Sequence, residues 1–179
     1  LWQHAVASVL RVLAGFSIAC VMGILLGLLM GLKPSTYSVS KSIVEPLRFI
    51  PPIAWIPLAI LLLSGFSRYV FIIWLGAFFP ILINTIAAVR RTSPVLVDVA
   101  KTFGANKRET ISKVVVPSAL PEIAAGMRIG LGVGWMCIVA AEMIPLLGTG
   151  PIGLGVLIWN YTGLLQIDVI VVGMITIGL

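Results

Sequence analysis

The chain has 179 residues, of which 60% are hydrophobic and only 10% charged, and its mean hydropathy is +1.16. A water-exposed surface needs about a quarter of its residues charged, so this composition excludes an ordinary soluble domain. The formal net charge of +6 does not imply nucleic acid, because the cations sit between apolar runs, where the positive-inside rule of membrane proteins puts them.

Several apolar runs approach the roughly 20 residues that a helix needs to cross hydrocarbon. The first extends from Val6 to Leu32, the second from Leu47 to Leu63, the third from Tyr69 to Val89 and the fourth from Ile123 to Ile144. A fifth starts at Ile167 and reaches the last residue, Leu179, before it is long enough to span. In lipid every backbone N–H and C=O must be satisfied within the protein, so these runs are expected to be helices. The predicted fold class is all-α: a polytopic membrane helical bundle forming one transmembrane domain over residues 1–179, with five visible spans of an expected six. An opening Leu1 and a short last run imply that natural termini are missing. Arg11 and the lack of a small-residue cleavage pattern argue against a signal peptide in the first run.

The loops between the runs give an orientation. The gap after the first run carries Lys33 and Lys41, with Arg48 at its edge; the gap after the third carries Arg90, Arg91, Lys101, Lys107, Arg108 and Lys113. The gap after the second has only Arg68, and the stretch from Pro145 to Gln166 has no Lys or Arg. Gaps one and three are therefore expected on the cytoplasmic side and gaps two and four outside.

Within the runs, Gly23, Gly27 and Gly31 share one helical face, as do Gly126, Gly130 and Gly134, which suits close helix packing. Pro51, Pro52, Pro57 and Pro80 interrupt the second and third runs, and such breaks are tolerated where backbone is buried in protein or lines a cavity. Pro52, Pro57 and Asn84 are thus candidate pathway residues, although Asn84 and Thr85 serve equally well to satisfy carbonyls freed by Pro80. Glu142 is the one acid well inside a run. Burying it costs about 2.5–3.5 kcal/mol, so it is expected to line the pathway, to pair with Arg11 or Arg128, or to sit close enough to the outer interface to stay wet. Cys20 and Cys137 read as small hydrophobes. His4 is the only histidine, which removes zinc-protease ligation, and no cofactor or catalytic residue is expected. Gly148 to Gly153 has dinucleotide-fold glycine spacing but reads as a turn, and Asn160-Tyr161-Thr162 reads as a chance glycosylation sequence.

The most informative stretch is the cytoplasmic loop 90–121. Ser93 is a candidate N-cap with Pro94 at the first helical position, and Leu96, Val99, Ala100 and Phe103 fall on one face of the short helix that follows. Gly104 should stop that helix. Asn106 and Glu109 have capping-box spacing and should open a second helix that ends before Pro117.

This loop resembles the EAA loop of binding-protein-dependent ABC permeases, whose pattern is Glu-Ala-Ala, three residues, Gly, nine residues, Ile, two residues, Pro. Asp98, Val99 and Val114 stand in for Glu, the first Ala and Ile, while Ala100, Gly104 and Pro117 match. The segments from Leu47 to Leu58 and from Ala140 to Met143 resemble the nitrate, sulfonate, taurine and bicarbonate branch. The resemblance implies a multi-pass cell inner membrane permease that pairs with a second permease copy. It also implies ATP-binding cassette ATPase subunits, an extracytoplasmic solute-binding protein and surrounding membrane lipid as partners, with no nucleic acid. Its cargo would be a small anion, moved by alternating access. Asp98, Ala100, Lys101, Gly104, Ala105, Lys107, Arg108 and Pro117 would form the ATPase-coupling loop. The rival reading is an ion-coupled secondary transporter, which would call for more intramembrane acids or repeated halves.

Overall fold

A computed structural model describes residues 1–144 and 152–178, without the side chains of 34–41. Most of the glycine motif at 148–153 lies outside the described residues. Every regular element among those described is helical. In chain order they are α1 (Trp2–Leu32), α2 (Pro34–Phe49), a 3₁₀ turn at Pro52–Trp55, α3 (Ile56–Leu62), α4 (Phe66–Arg91) and α5 (Pro94–Thr102). Then come α6 (Lys107–Thr110), a π-turn at Ile111–Val115, α7 (Val116–Glu142), α8 (Leu154–Gly163) and α9 (Ile167–Gly178).

Three helices among the described residues are long and apolar enough to cross a membrane: Trp2–Leu32, Phe66–Arg91 and the continuous Lys107–Glu142. The expected second span is not one straight helix. Ser42–Phe49 and Pro52–Leu62 meet at 86°, and counting that bent pair as a crossing gives up to four. The prolines explain the bend. A residue before proline is pushed out of the helical region, and both Ile50 (ψ 115°) and Pro51 (ψ 134°) are extended. Pro52 then opens the 3₁₀ turn and Pro57 sits in the first turn of α3, so these prolines start helices rather than puncture them. The expected fifth span is represented by α9, with 12 described residues. Among the described residues, three long helices and one bent pair thus qualify as crossings by length and composition.

Pro80 behaves differently, since α4 continues through it. Its missing N–H frees the Gly76 carbonyl one turn earlier, yet neither nearby polar side chain goes there. Asn84 Nδ2 donates to Pro80 O (2.8 Å) and Thr85 Oγ1 to Ile81 O (2.7 Å), each bonding back along its own helix.

The chain divides into two compact units, residues 1–18, 51–77 and 131–179, and residues 19–50 and 78–130. The core of the first gathers Val12, Ile56, Ile72, Ile73 and Ile138. The second has Ala88, Val89, Val115, Ala119 and Ile123 at its centre, with Met30, Leu82 and Ile86 forming another apolar cluster.

A glycine seam in the second unit fixes α1 against α4. Cβ atoms added to Gly23, Gly27 and Gly31 would lie 2.9, 2.6 and 2.7 Å from Ile81, Thr85 and Val89 respectively. Both series advance by four residues in the same direction, so the helices run parallel there, and residues 33–65 make the return connection that parallel neighbours require. On α7, Gly126 approaches Asn84 equally closely (2.6 Å).

Gly27→Ala should therefore destabilise the purified protein by about 1–3 kcal/mol through overpacking, visible as a lower thermal midpoint in detergent. Gly132→Ala is the control, with nothing within 4 Å of the added methyl, and should be neutral or slightly stabilising. Equal behaviour of the two variants would refute the seam.

Candidate functional site

Residues 90–121 fold into a two-helix elbow. Pro94 occupies the first turn of α5 as expected, but Ser93 makes no side-chain cap; its carbonyl accepts the N–H of Leu96 (3.1 Å) instead. At the other end Gly104 adopts φ +81°, a conformation costly for any residue with a Cβ. The Gly104 N–H donates to Lys101 O (2.9 Å) and the Ala105 N–H to Ala100 O (3.0 Å). This pair of bonds is the Schellman ending of a helix, which satisfies its last carbonyls and reverses the chain.

The next helix starts two residues later with both halves of a capping box in place. Glu109 N–H donates to Asn106 Oδ1 and Asn106 N–H to Glu109 Oε2, each at 3.0 Å. The elbow is thus locked on both sides of a four-residue bend by four main-chain donors.

One expectation fails here. The second helix does not end before Pro117 but runs on through α7. Proline in a regular helix clashes with the carbonyl four residues earlier, and the π-turn at Ile111–Val115 widens the backbone just upstream. Val116 N–H reaches back to Ile111 O, five residues away, and the helix passes Pro117 unbroken.

The elbow's surface is apolar and unpaired within its unit. No residue of α5 is buried. Val95, Leu96 and Val99 are exposed, and Phe103 is 87% exposed, so the predicted face exists but points outward. Val97 packs onto the core around Ala88 and Val115. Ala100, Gly104 and Ala105 line a shallow cleft of about 350 Å³ beside Phe103. Among the charges, Lys101 pairs with Asp98 at 3.1 Å, an exposed one-turn pair of little energetic weight. Lys107 and Arg108 are exposed in the first turn of α6.

The first unit holds a second polar constellation. The Glu142 carboxylate is fully buried and pairs with Arg11, not Arg128, at 2.6 Å. Arg11 also lies 4.5 Å above the Tyr69 ring. The Ser8 hydroxyl, 2.8 and 2.9 Å from the two carboxylate oxygens, donates to Glu142 and accepts from the Leu154 N–H (3.0 Å). Gly155 N–H donates to Glu142 Oε2 (3.0 Å), which puts the carboxylate at the positive N-terminus of α8. A Cβ on Gly153 would run into the Glu142 carboxyl and one on Gly155 into the Val139 carbonyl, so both positions require glycine. His4 completes the dock through its Nδ1, 2.7 Å from Gly153 O.

Of the four pathway candidates, Pro52, Pro57 and Glu142 belong to the first unit and Asn84 to the second. Pro57 is exposed, Pro52 and Asn84 half-buried, and Glu142 enclosed. Ser8 and Gly155 escaped the sequence reading, which named His4 and Gly153 without this role. Ser8 meets Glu142 across 134 residues and His4 meets Gly153 across 149, and no local pattern announces either.

Comparison with known proteins agrees with this architecture. Residues 21–179 match the family of binding-protein-dependent transport system inner membrane components. The chain is 43% identical over 178 residues to a Methanocaldococcus jannaschii protein provisionally named an ABC transporter permease. It is 35% identical over 180 residues to the taurine transport system permease protein of Escherichia coli. It is 36% identical over 178 residues to the bicarbonate transport system permease protein of Synechococcus elongatus. These alignments cover 99%, 100% and 99% of this chain and 66%, 64% and 63% of the relatives, so it spans just under two thirds of their length. The chain belongs to this family of inner-membrane transport components.

Removing either Arg11 or Glu142 should strand a buried charge and cost about 3–5 kcal/mol. A double-mutant cycle on detergent-purified protein should show Arg11→Ala plus Glu142→Ala costing clearly less than the sum of the single changes. Additive losses would mean the two side chains do not act as a pair.

Proposed function

We propose that this chain is the membrane-spanning permease subunit of an ATP-driven importer for a small oxyanion, and that residues 90–121 are its cytoplasmic coupling loop. The observation that carries the reading is the elbow: a short helix, rigidly terminated on both sides, that presents Leu96, Val99 and Phe103 outward. An exposed aromatic at the tip of an apolar face is the kind of residue that anchors a protein interface. The occupant we infer is an ATP-binding cassette ATPase subunit, with Asp98, Ala100, Lys101, Gly104, Ala105, Lys107 and Arg108 around the contact and Pro117 behind it.

The mechanism is mechanical. Two permeases pair with two ATPases, and an external binding protein delivers the solute. ATP binding draws the ATPases together, moves the elbows, and shifts the bundles between outward- and inward-open states. The drive comes from ATP binding more favourably to one state than to the other. Pro52 and Pro57, at the bend between α2 and α3, together with Asn84, are the pathway residues we favour. Glu142 acts instead as a brace that holds the start of α8.

Relatives bearing the names of taurine, bicarbonate and nitrate systems support the substrate class, since each of those solutes presents a compact oxyanion group. A secondary carrier would need an intramembrane carboxylate free to exchange ions. Glu142 is instead saturated by Arg11, Ser8 and Gly155.

Gly104→Asp should abolish uptake and substrate-stimulated ATPase activity in reconstituted vesicles, while the protein still inserts and folds. Phe103→Ala should leave permease stability unchanged and weaken ATPase assembly roughly tenfold or more in a pull-down titration. Wild-type coupling from Gly104→Asp would remove the elbow from the mechanism.

A further inference from the structure

A pocket of about 580 Å³ opens in the second unit beneath the elbow. Lys33, just past the end of α1, lines it together with Lys101 of α5 and Lys107 of α6, and Leu29, Val97 and Ile111 contribute to its apolar wall. That wall does not stop at the pocket. Leu29 continues along α1 through Leu25 and Val21, one turn apart on one face and 56%, 57% and 60% exposed.

The charge balance is positive. Asp98 offsets Lys101 at 3.1 Å, while Glu109 is committed to its capping box and to Lys113 at 3.4 Å. Three ammonium groups beside an open apolar track fit a ligand with one anionic end and a long apolar tail. A free oxyanion would use the lysines and leave the wall wetted; a neutral lipid would use the wall and leave the lysines unanswered.

We propose that this pocket binds the headgroup of an anionic phospholipid from the inner leaflet. Its phosphate lies among Lys33, Lys101 and Lys107, and an acyl chain lies along Val21, Leu25 and Leu29. The proposal rests on the cytoplasmic placement of the elbow argued above. A lipid held there ties the end of α1 to both arms of the elbow and stiffens the joint against which the ATPase pushes.

The test is native mass spectrometry of the full-length permease purified with its ATPase subunits. The complex is titrated separately with phosphatidylglycerol, phosphatidylcholine and inorganic phosphate. Phosphatidylglycerol should bind in preference to phosphatidylcholine. Lys33→Gln and Lys107→Gln should each weaken it about fivefold, the effect of one interfacial cation, without changing phosphatidylcholine binding. Lys113→Gln, outside the pocket, should have no effect. Equal retention of the two lipids, or unchanged phosphatidylglycerol binding in both pocket variants, would overturn the proposal. Displacement of phosphatidylglycerol by inorganic phosphate would overturn it too, by marking a site for free phosphate. Binding is read with the ATPase idle, so failure of the importer reading would show as absent transport with the lipid preference intact.

Discussion

Hydrocarbon gives the backbone no hydrogen-bond partner and gives two apolar helices no hydrophobic reason to associate. Association must come from contact at short range, which the seam of Gly23, Gly27 and Gly31 supplies by letting α1 touch Ile81, Thr85 and Val89 without an intervening side chain. The seam matters beyond packing. It fixes the stretch of α4 that leads through Thr92 and Ser93 into α5, so the elbow is mounted on a helix whose register is set by glycine contacts. Under the proposed function, in which the elbow transmits force, the joint needs such a base.

The same scarcity of partners governs the polar groups. The main-chain donors of Gly104, Ala105, Asn106 and Glu109 each have an acceptor, and Glu142 has a cation, a hydroxyl and a backbone N–H. Buried ion pairs do not generally stabilise a fold more than apolar packing would, so the arrangement is better understood as specification. Glu142 can be neutralised only if Arg11, Ser8 and the start of α8 come to one place. Where the chain could not keep helical bonding, at Pro51 and Pro52, it bends by 86° and restarts.

What the sequence disclosed and withheld follows the range of the interactions involved. The end of α5 at Gly104 and the capping box of Asn106 and Glu109 are set by neighbours within five residues, and both were legible. The long apolar helices were legible because hydropathy needs only composition. The bend was half-legible: the prolines were visible, but whether they kink a helix or start a new one depends on the preceding residue's extended backbone. Pro117 misled because a local rule for ending helices was overridden by the π-turn just before it. Glu142 could be flagged as needing a partner, yet the choice of Arg11 over Arg128 and the help from Ser8 and Gly155 are tertiary facts. The helix α2 lay in a stretch rich in Ser and β-branched residues, where Pro34 at the first position was the one start signal.

The central claim is that the elbow faces the cytoplasm and is covered by an ATPase. It is tested most directly by placing a cysteine at Phe103, the most exposed residue of the apolar face, and labelling it with a membrane-impermeant maleimide. Labelling should occur in inside-out but not right-side-out vesicles, and should fall sharply when the ATPase subunits are bound. Labelling from the outer face, or labelling indifferent to the ATPase, would contradict the account.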